Sequence, residues 1–169
     1  AALGYSQESG IPLEMGIIRN HYVGRTFIQP AQDSRDMGVR IKFNILKDIL
    51  KGKRIIIVDD SIVRCTTSKI RVRNLRKAGV KEVHLRISCP AHRFPCFYGI
   101  DFHLSSELIA NKYETLAKIS KYLEVDSLGY LSLEGMLNCL KHQKDNYCAS
   151  CWTGKYPVRA EKRHSMFSL

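Results

Sequence analysis

Residues 54–67, with the sequence RIIIVDDSIVRCTT, decide the fold class of this chain. After Arg54, an uninterrupted β-branched run extends to Val58, as found in parallel strands that are covered on both faces. Asp59 and Asp60 follow directly and open a short polar loop. The stretch therefore predicts a buried strand that ends in a loop carrying two acids.

The residues after this loop predict a helix and a second strand. Ile70, Leu75 and Ala78 supply the apolar side of the helix, and Gly79 stands where a left-handed C-cap belongs. The next strand is predicted by alternating apolar residues: Val83, Leu85 and Ile87. Together these elements make a βαβ unit, so the chain is expected to be an α/β protein with a parallel sheet.

Upstream of this unit, a short apolar segment at 15–18 predicts a strand, and the polar, glycine-punctuated stretch 20–38 predicts a long exposed loop. Long loops in compact domains are often active-site lids. A helix that ends at Gly52 is predicted by four apolar residues at helical spacing: Val39, Phe43, Leu46 and Leu50.

Downstream of the βαβ unit, the pattern predicts further helices and one strand. Ser105 or Ser106 can cap a helix, and a second helix is indicated by Leu116, Ile119 and Leu123. A last short strand is expected at 128–131, followed by a helix that runs from the capping residue Ser132 to Leu140.

Composition limits the classes of protein to which the chain can belong. At 169 residues with 44% hydrophobic residues it fits one domain with a real core, and its net charge of +11 suits nucleic acid, an anionic membrane surface or a phosphate-rich small molecule. No nucleic-acid-binding module accompanies the charge, so specific nucleic-acid binding is not expected. No run of about 18 apolar residues and no signal peptide is present, so a soluble, cytoplasmic protein without a membrane partner is expected.

The two acids stand at the carboxyl end of the predicted strand, where open α/β sheets place their ligands. Asp59 and Asp60 could each accept a hydrogen bond from a ribose hydroxyl, and their charge would stabilise an oxocarbenium-like anomeric carbon. Ser61, Thr66 and Thr67 lie at the start of the following helix, where free N–H groups favour a phosphate. The alternative is that the acids cap the helix or bind a metal and that the threonines are ordinary first-turn residues.

The segment from Val58 to Thr67 resembles the PRPP (phosphoribosyl pyrophosphate) loop of type I phosphoribosyltransferases, and is most similar to that of the amidophosphoribosyltransferase family. The resemblance extends from about Ala2 to Pro157 through the motifs YVGRTFIQP, AGVKEVHLRI, FPCFYGID, ELIA and CWTGKYP. It implies a partial phosphoribosyltransferase core over 1–103, with the flexible loop at 20–38 and the PRPP loop at 58–67. A helical, cysteine-containing extension would occupy 104–169.

The same resemblance assigns roles to individual residues. Asp59 and Asp60 would hold the ribose diol and Mg²⁺, while the 5-phosphate would be bound by Ser61, Thr66 and Thr67. Arg25 and Lys42 would act from the flexible loop and its following helix. Without the resemblance, an Arg in a polar loop and a Lys on an amphipathic helix would be taken as solvated.

The family also has parts that this sequence lacks. Its amino-terminal glutaminase domain, which supplies ammonia, and its pyrophosphate-binding loop have no counterpart here, so the chain is expected to be a segment of a longer enzyme or an incomplete, inactive fragment. Cys65 occupies a position where the family has Gly, and a Cβ there would clash or demand an unfavourable φ. Replacing Cys65 by Gly is therefore expected to raise PRPP affinity.

Six cysteines are present, and Cys148-Ala-Ser-Cys151 forms a Cys-x-x-Cys pair. Such a pair suits zinc, an iron–sulfur cluster, a redox dithiol, or simply free thiols. The resemblance implies that Cys96, Cys148 and Cys151 ligate a [4Fe-4S] cluster whose fourth ligand lies outside this chain. Cys89 and Cys139 are interpreted as ordinary buried thiols.

The leading expectation is ribosyl transfer from Mg-PRPP to ammonia, giving 5-phosphoribosylamine and pyrophosphate in purine synthesis, by an enzyme that forms a homo-oligomer at full length. A PRPP-binding module without catalysis and a basic interaction protein are the alternatives. PRPP affinity, turnover with ammonium, and salt-sensitive nucleic-acid binding would distinguish the three.

Overall fold

The computed structural model describes residues 1–19, 43–140 and 146–158. The elements in these ranges are, in chain order, α1 (Ala2–Ser9), β1 (Ile17–Arg19), β2 (Phe43–Ile45), α2 (Lys47–Leu50), β3 (Arg54–Asp59), α3 (Thr66–Lys77), β4 (Glu82–Ile87), a 3₁₀ turn (Ser105–Glu107), α4 (Ile109–Lys112), α5 (Leu116–Leu123), β5 (Ser127–Tyr130), α6 (Leu133–Asn138) and α7 (Ser150–Thr153). Strands β3, β4 and β5 form a parallel sheet in that order, and β1 pairs with β2. The predicted α/β class is confirmed.

The βαβ unit from β3 to β4 forms as its sequence predicts. β4 alternates buried and half-buried residues, with Val83, Leu85 and Ile87 facing the core. Gly79 follows α3 at φ +89°, a left-handed conformation that glycine adopts without strain. The continuous parallel register from Arg54↔Glu82 to Asp59↔Ile87 places the end of β3 beside the end of β4.

The hydrophobic core lies around α3, β4 and α5. Leu75 of α3 and Leu123 of α5 are fully buried, and the burial of each stabilises the fold by about 2 kcal/mol. Val72 contributes to the same core although the sequence pattern did not single it out, whereas Ile70 is only half-buried. The helix was therefore predicted correctly, with a slightly different buried face.

Strand β3 is less covered than its apolar run predicts. Residues 55–58 are half-buried, because β3 has a neighbouring strand only on its β4 side among the described residues. Helix α1 and the segment after it cover the outer part of β3 and leave a groove of about 390 Å³, lined in part by Ile11 and Leu13. The full coverage expected from the sequence is not reached within the described residues.

The antiparallel pair β1–β2, called the β1–β2 hairpin here, replaces part of a predicted helix. Ile17 pairs with Ile45 and Arg19 with Phe43, so the strand expected at 15–18 is confirmed with a shift of one to two residues. The helix predicted through Phe43 and Leu46 is wrong over 43–45, where half-buried and exposed residues alternate as in a strand. Among the described residues of this stretch, helical structure is limited to α2. Gly52, at φ +75°, follows α2 as expected for a helix end. Val39 lies outside the described residues.

The elements after β4 were mostly anticipated. Helix α5 begins at the cap residue Thr115, β5 lies where the last strand was predicted, and Ser132 Oγ caps α6 by accepting a 3.0 Å hydrogen bond from the Gly135 N–H. The predicted capping role of Ser105 or Ser106 is wrong, because these residues form a 3₁₀ turn in which Ser105 Oγ accepts a hydrogen bond from Asn111.

The division at residue 103 stays a prediction. Residues after it contribute not only helices but also β5, which joins the same sheet as β3 and β4. Within the described ranges, no helix combines the length and apolar character that a membrane span requires.

Candidate functional site

The two predicted acids lie together at the carboxyl end of β3. Asp59 is the last residue of the strand, and its backbone carbonyl accepts hydrogen bonds from the Ser88 N–H at 3.0 Å and the Ser88 hydroxyl at 3.1 Å. Ser88 directly follows β4, so the ends of the two parallel strands are tied together where the loop begins. The backbone around the acids is thereby fixed to the sheet.

The carboxylates of the two acids have different surroundings. Asp59 is half-buried, and its Oδ2 accepts a 2.8 Å hydrogen bond from Arg71 Nη1, while its Oδ1 lies 3.2 Å from the Asp60 N–H. Asp60 is exposed and accepts a 2.7 Å hydrogen bond from the Ser61 N–H through Oδ1. Two adjacent carboxylates are therefore presented, one neutralised by an arginine and one open to solvent.

Helix α3 begins just after this loop, and its amino end has no side-chain cap. Thr66 and Thr67 are its first two residues and both are exposed, and its first turn carries no acidic residue. Backbone N–H groups and the positive end of a helix dipole favour an anion at such a position. Ser61 is half-buried at the other end of the loop, whereas Ser68, one residue further along α3, is buried.

Cys65 is the N-cap of α3 and adopts the strained conformation that the sequence led us to expect. Its φ is +64°, in the left-handed region that costs a residue with a Cβ about 1 kcal/mol or more. Its side chain is 5% exposed and belongs to the hydrophobic core, and this burial raises the pKa of the thiol to about 12. The side chain is thus held in the core rather than exposed in the loop.

The loop is braced from the segment that follows β4. The Val63 carbonyl accepts a 2.8 Å hydrogen bond from the Ile109 N–H, and Arg64 donates to Glu107 through Nη2 at 2.6 Å and Nε at 2.9 Å. The Asp101 carboxylate also lies near this arginine, with Oδ2 3.9 Å from Arg64 Nη1. The shape of the loop therefore depends on residues about 40 positions downstream as well as on β3 and α3.

Arg25 and Lys42, the two residues predicted to act from the flexible loop and its helix, lie outside the described residues, as does the whole loop at 20–38. The described chain stops at Arg19 and resumes at Phe43, and these two residues are paired partners in the β1–β2 hairpin. The structure thus describes the two strands on which that segment begins and ends.

The three cysteines implicated as cluster ligands lie in one neighbourhood. Burial raises the pKa of the Cys151 thiol to about 11, with nearby Cys96 and Cys148 adding to the rise, whereas hydrogen bonds from Ser150 lower the pKa of Cys148. The Cys151 carbonyl accepts hydrogen bonds of 3.1 Å from the N–H groups of Arg93 and Phe94, which join α7 to the segment that carries Cys96.

The prediction that Cys89 and Cys139 are buried thiols is confirmed for Cys89 and wrong for Cys139. Cys139 is exposed, because it directly follows the last residue of α6, a helix with no buried residue.

Thiolates are suitable ligands for an iron–sulfur cluster, so the donor chemistry of these three residues fits one. Their arrangement does not yet form a ligand set, since no three His, Cys, Asp or Glu side chains among the described residues are placed to share one metal ion. The carboxylates of Asp59 and Asp60 are hard oxygen donors of the kind Mg²⁺ takes from proteins, usually one or two together with substrate phosphates.

Comparisons with known proteins give this geometry a context. No protein-family model matches the chain. An amidophosphoribosyltransferase from Synechocystis sp. is 58% identical over 158 residues, covering 94% of this chain and 32% of that protein, and one from Methanocaldococcus jannaschii is 54% identical over 157 residues, covering 93% and 33%. The chain matches a segment of amidophosphoribosyltransferases. It spans about a third of the length of these relatives.

The fold is also that of an amidophosphoribosyltransferase segment. Glutamine PRPP amidotransferase from B. subtilis, solved in complex with ADP and GMP, superposes with a TM-score of 0.79 at 45% identity, over 96% of this chain and 36% of that one. The resemblance to amidophosphoribosyltransferases inferred from the motifs is therefore confirmed.

Two features of the candidate site were missed by sequence reasoning. Arg71 was not singled out, although an arginine on the helix after the two acids is a plausible partner for them. The Arg64–Glu107 pair joins residues 43 positions apart, and no sequence pattern signals such a contact. Both contribute directly to how the loop presents its carboxylates and backbone.

Proposed function

We propose that this chain is the segment of an amidophosphoribosyltransferase that binds the ribose and 5-phosphate of PRPP. The observation that carries the proposal is the placement of two adjacent carboxylates at the end of β3, one short loop (61–65) before a helix start that no side chain caps. The first feature suits a vicinal diol and the second suits a phosphate. The match to amidophosphoribosyltransferases over nearly the whole chain supports the same assignment.

In the proposed reaction, ammonia attacks the anomeric carbon of PRPP. A C–N bond forms as the C–O bond to pyrophosphate breaks, and 5-phosphoribosylamine and pyrophosphate are the products. Asp59 and Asp60 hold the 2- and 3-hydroxyls and stabilise positive charge at the sugar ring. Ser61, Thr66 and Thr67 donate to the 5-phosphate together with N–H groups at the start of α3. Mg²⁺, held by Asp60 and Asp59, would neutralise the departing pyrophosphate.

The remaining parts of the proposed enzyme are outside the described residues or outside this chain. Arg25 would act from the flexible loop and Lys42 from the segment that follows it, and a glutaminase domain elsewhere in the full-length protein would supply ammonia. A homo-oligomeric, cytoplasmic enzyme of purine synthesis is the corresponding whole protein. This chain on its own is expected to be inactive, since it spans about a third of the length of its relatives.

A [4Fe-4S] cluster is part of the proposal as a structural group and takes no part in the reaction. Cys96, Cys148 and Cys151 would supply three ligands, with the fourth from another part of the full-length protein. Its support is the shared neighbourhood of the three thiols, and it would fasten α7 to the segment after β4.

The proposal is tested in the full-length protein that carries this chain, or in a Synechocystis relative whose matching segment is replaced by it. Calorimetry with PRPP and turnover with ammonium ions are measured for the parent and for Asp59→Asn combined with Asp60→Asn. The double variant should lose at least about tenfold in PRPP affinity or turnover, because it removes both acceptors of charge-assisted bonds. Glu114→Gln with Glu134→Gln removes the same charge at exposed positions and should leave both quantities unchanged.

Unchanged kinetics in the aspartate double variant would reject the assignment of the two acids. A second candidate is a PRPP-binding module without catalysis. PRPP binding without turnover in the full-length protein would support this second candidate. Binding to DNA or RNA that weakens with salt, together with no PRPP affinity, would instead indicate a basic interaction protein.

A further inference from the structure

Arg71 and Asp59 form an ion pair that differs from the others in the described part of the chain. Their side chains are 18% and 23% exposed, which makes this the least exposed of the ion pairs between described residues. On the same helix, the Arg73–Glu124 pair has side chains that are 54% and 41% exposed. Exposed pairs contribute little because water and salt screen them, whereas a mostly buried pair holds its geometry and its charge balance.

The guanidinium of Arg71 is fixed on two sides. Nη1 donates to Asp59 Oδ2 at 2.8 Å, and the guanidinium carbon lies 5.5 Å from the ring centre of Phe43, the first residue of β2. Nε is buried and has no acceptor among the described residues. A buried N–H group without an acceptor costs free energy. Arg71 is therefore held in place by its ion pair with Asp59 and by the ring of Phe43, and not by a hydrogen bond from Nε.

This contact decides which part of Asp59 remains for a ligand. Arg71 occupies Oδ2, so Oδ1, which has only a 3.2 Å contact to the Asp60 N–H, is the oxygen that can still accept a strong bond. The arginine also cancels the charge of Asp59, leaving Asp60 as the one uncompensated carboxylate of the pair. A polyanionic ligand is therefore repelled by one negative charge rather than two.

We propose that Arg71 is a positioning residue that locks the Asp59 carboxylate and neutralises it, so that the two adjacent acids have unequal roles in binding the sugar phosphate. The inference rests on the proposed function, because the ligand is PRPP. Asp59 acts as a fixed, charge-compensated acceptor for a hydroxyl, and Asp60 is the open carboxylate available to a second hydroxyl or to a cation.

The test is a double-mutant cycle on PRPP affinity, measured by calorimetry at constant Mg²⁺ in the full-length protein. Arg71→Met alone should weaken PRPP binding by about tenfold, because it leaves a half-buried, unpaired carboxylate beside the ligand. In the Asp59→Asn background the same change should have an effect of less than about twofold, because the charge that Arg71 compensates is already gone. In the Asp60→Asn background the tenfold effect should persist.

Two controls separate positioning from a general loss of structure. Arg71→Lys keeps the charge and should recover part of the affinity. Arg73→Met removes the same charge from the same helix at an exposed pair and should leave PRPP affinity within about twofold. Thermal unfolding of every variant provides a measurement that does not require PRPP, and the same cycle on the unfolding temperature should show coupling between Arg71 and Asp59.

Each outcome is decisive. If the parent binds PRPP and the effects of Arg71→Met and Asp59→Asn are additive, the positioning role is wrong while the proposed function stands. If Arg73→Met weakens binding as much as Arg71→Met, the effect is one of general charge and the inference is again overturned. If the parent binds no PRPP, the proposed function fails and the role toward PRPP fails with it, and the unfolding cycle then reports only the ion pair.

Discussion

Replacing Cys65 tests how much backbone strain the loop at 60–65 contains. At φ +64° the cysteine is expected to be strained by about 1 kcal/mol relative to glycine at the same position. Its side chain is 5% exposed, so removing the thiol loses burial worth on the order of 1 kcal/mol. Cys65→Ala loses the burial and keeps the strain, whereas Cys65→Gly loses the burial and relieves it.

Glycine also increases the entropy of the unfolded chain, which normally makes Ala→Gly in a helix cost about 1 kcal/mol. At position 65 the strain relief should offset this cost, so the Gly variant is expected to be at least as stable as the Ala variant. Ala117→Gly, at an exposed site within α5, is the matched control and should show the full cost. The difference between the two sites, about 1 kcal/mol, measures the strain.

The assay is unfolding in urea, followed by circular dichroism and by the fluorescence of Trp152, the single tryptophan. In the full-length protein, Cys65→Gly should also raise PRPP affinity, because a residue without a Cβ lets the backbone approach the phosphate more closely. The free-energy difference between Ala and Gly is thus compared at positions 65 and 117. If Gly is less stable than Ala by the same amount at both positions, the loop is not strained. Weaker PRPP binding would show that the loop has adapted to cysteine.

Three further predictions concern the thiols and one helix cap. Anaerobically purified full-length protein should contain iron and sulfide and absorb broadly in the visible, and Cys148→Ser with Cys151→Ser should abolish both; a colourless, iron-free parent would refute the cluster. In this chain at pH 8, mass spectrometry should find Cys148 alkylated first and Cys65 last, because the pKa of Cys148 is lowered and that of Cys65 is about 12; equal rates would contradict this. Ser132→Ala should lower the free energy of unfolding by about 1 kcal/mol, with Ser106→Ala as the silent control.

The βαβ unit could be predicted because its signals are local. The β-branched run of β3, the alternation in β4 and the left-handed Gly79 each follow from a few neighbouring residues. The hairpin could not be predicted, since Phe43–Ile45 becomes a strand only through pairing with Ile17–Arg19, which is distant in the sequence. Apolar residues spaced as in a helix were overridden there by a tertiary contact.

The candidate site was predictable in its residue types but not in its internal division. Two acids before a helix start are visible in the sequence, and the structure places them together at the end of β3. Their unequal surroundings depend on Arg71, which reaches Asp59 across the strand–helix connection. A pattern of residue types identifies which groups meet a ligand, while the partners that orient those groups emerge only from packing.

The contacts that join the loop at 60–65 to residues 107–109 have a consequence for synthesis on the ribosome. The loop is translated more than 40 residues before Glu107, its ion-pair partner, so its final shape cannot form as it emerges. β3, α3 and β4 contain the contacts needed for an early sheet, and elongation at about 5–20 residues per second separates that step from completion of the loop by about 1–4 seconds. The loop at 60–65 is therefore among the later parts of the nascent chain to reach its native form.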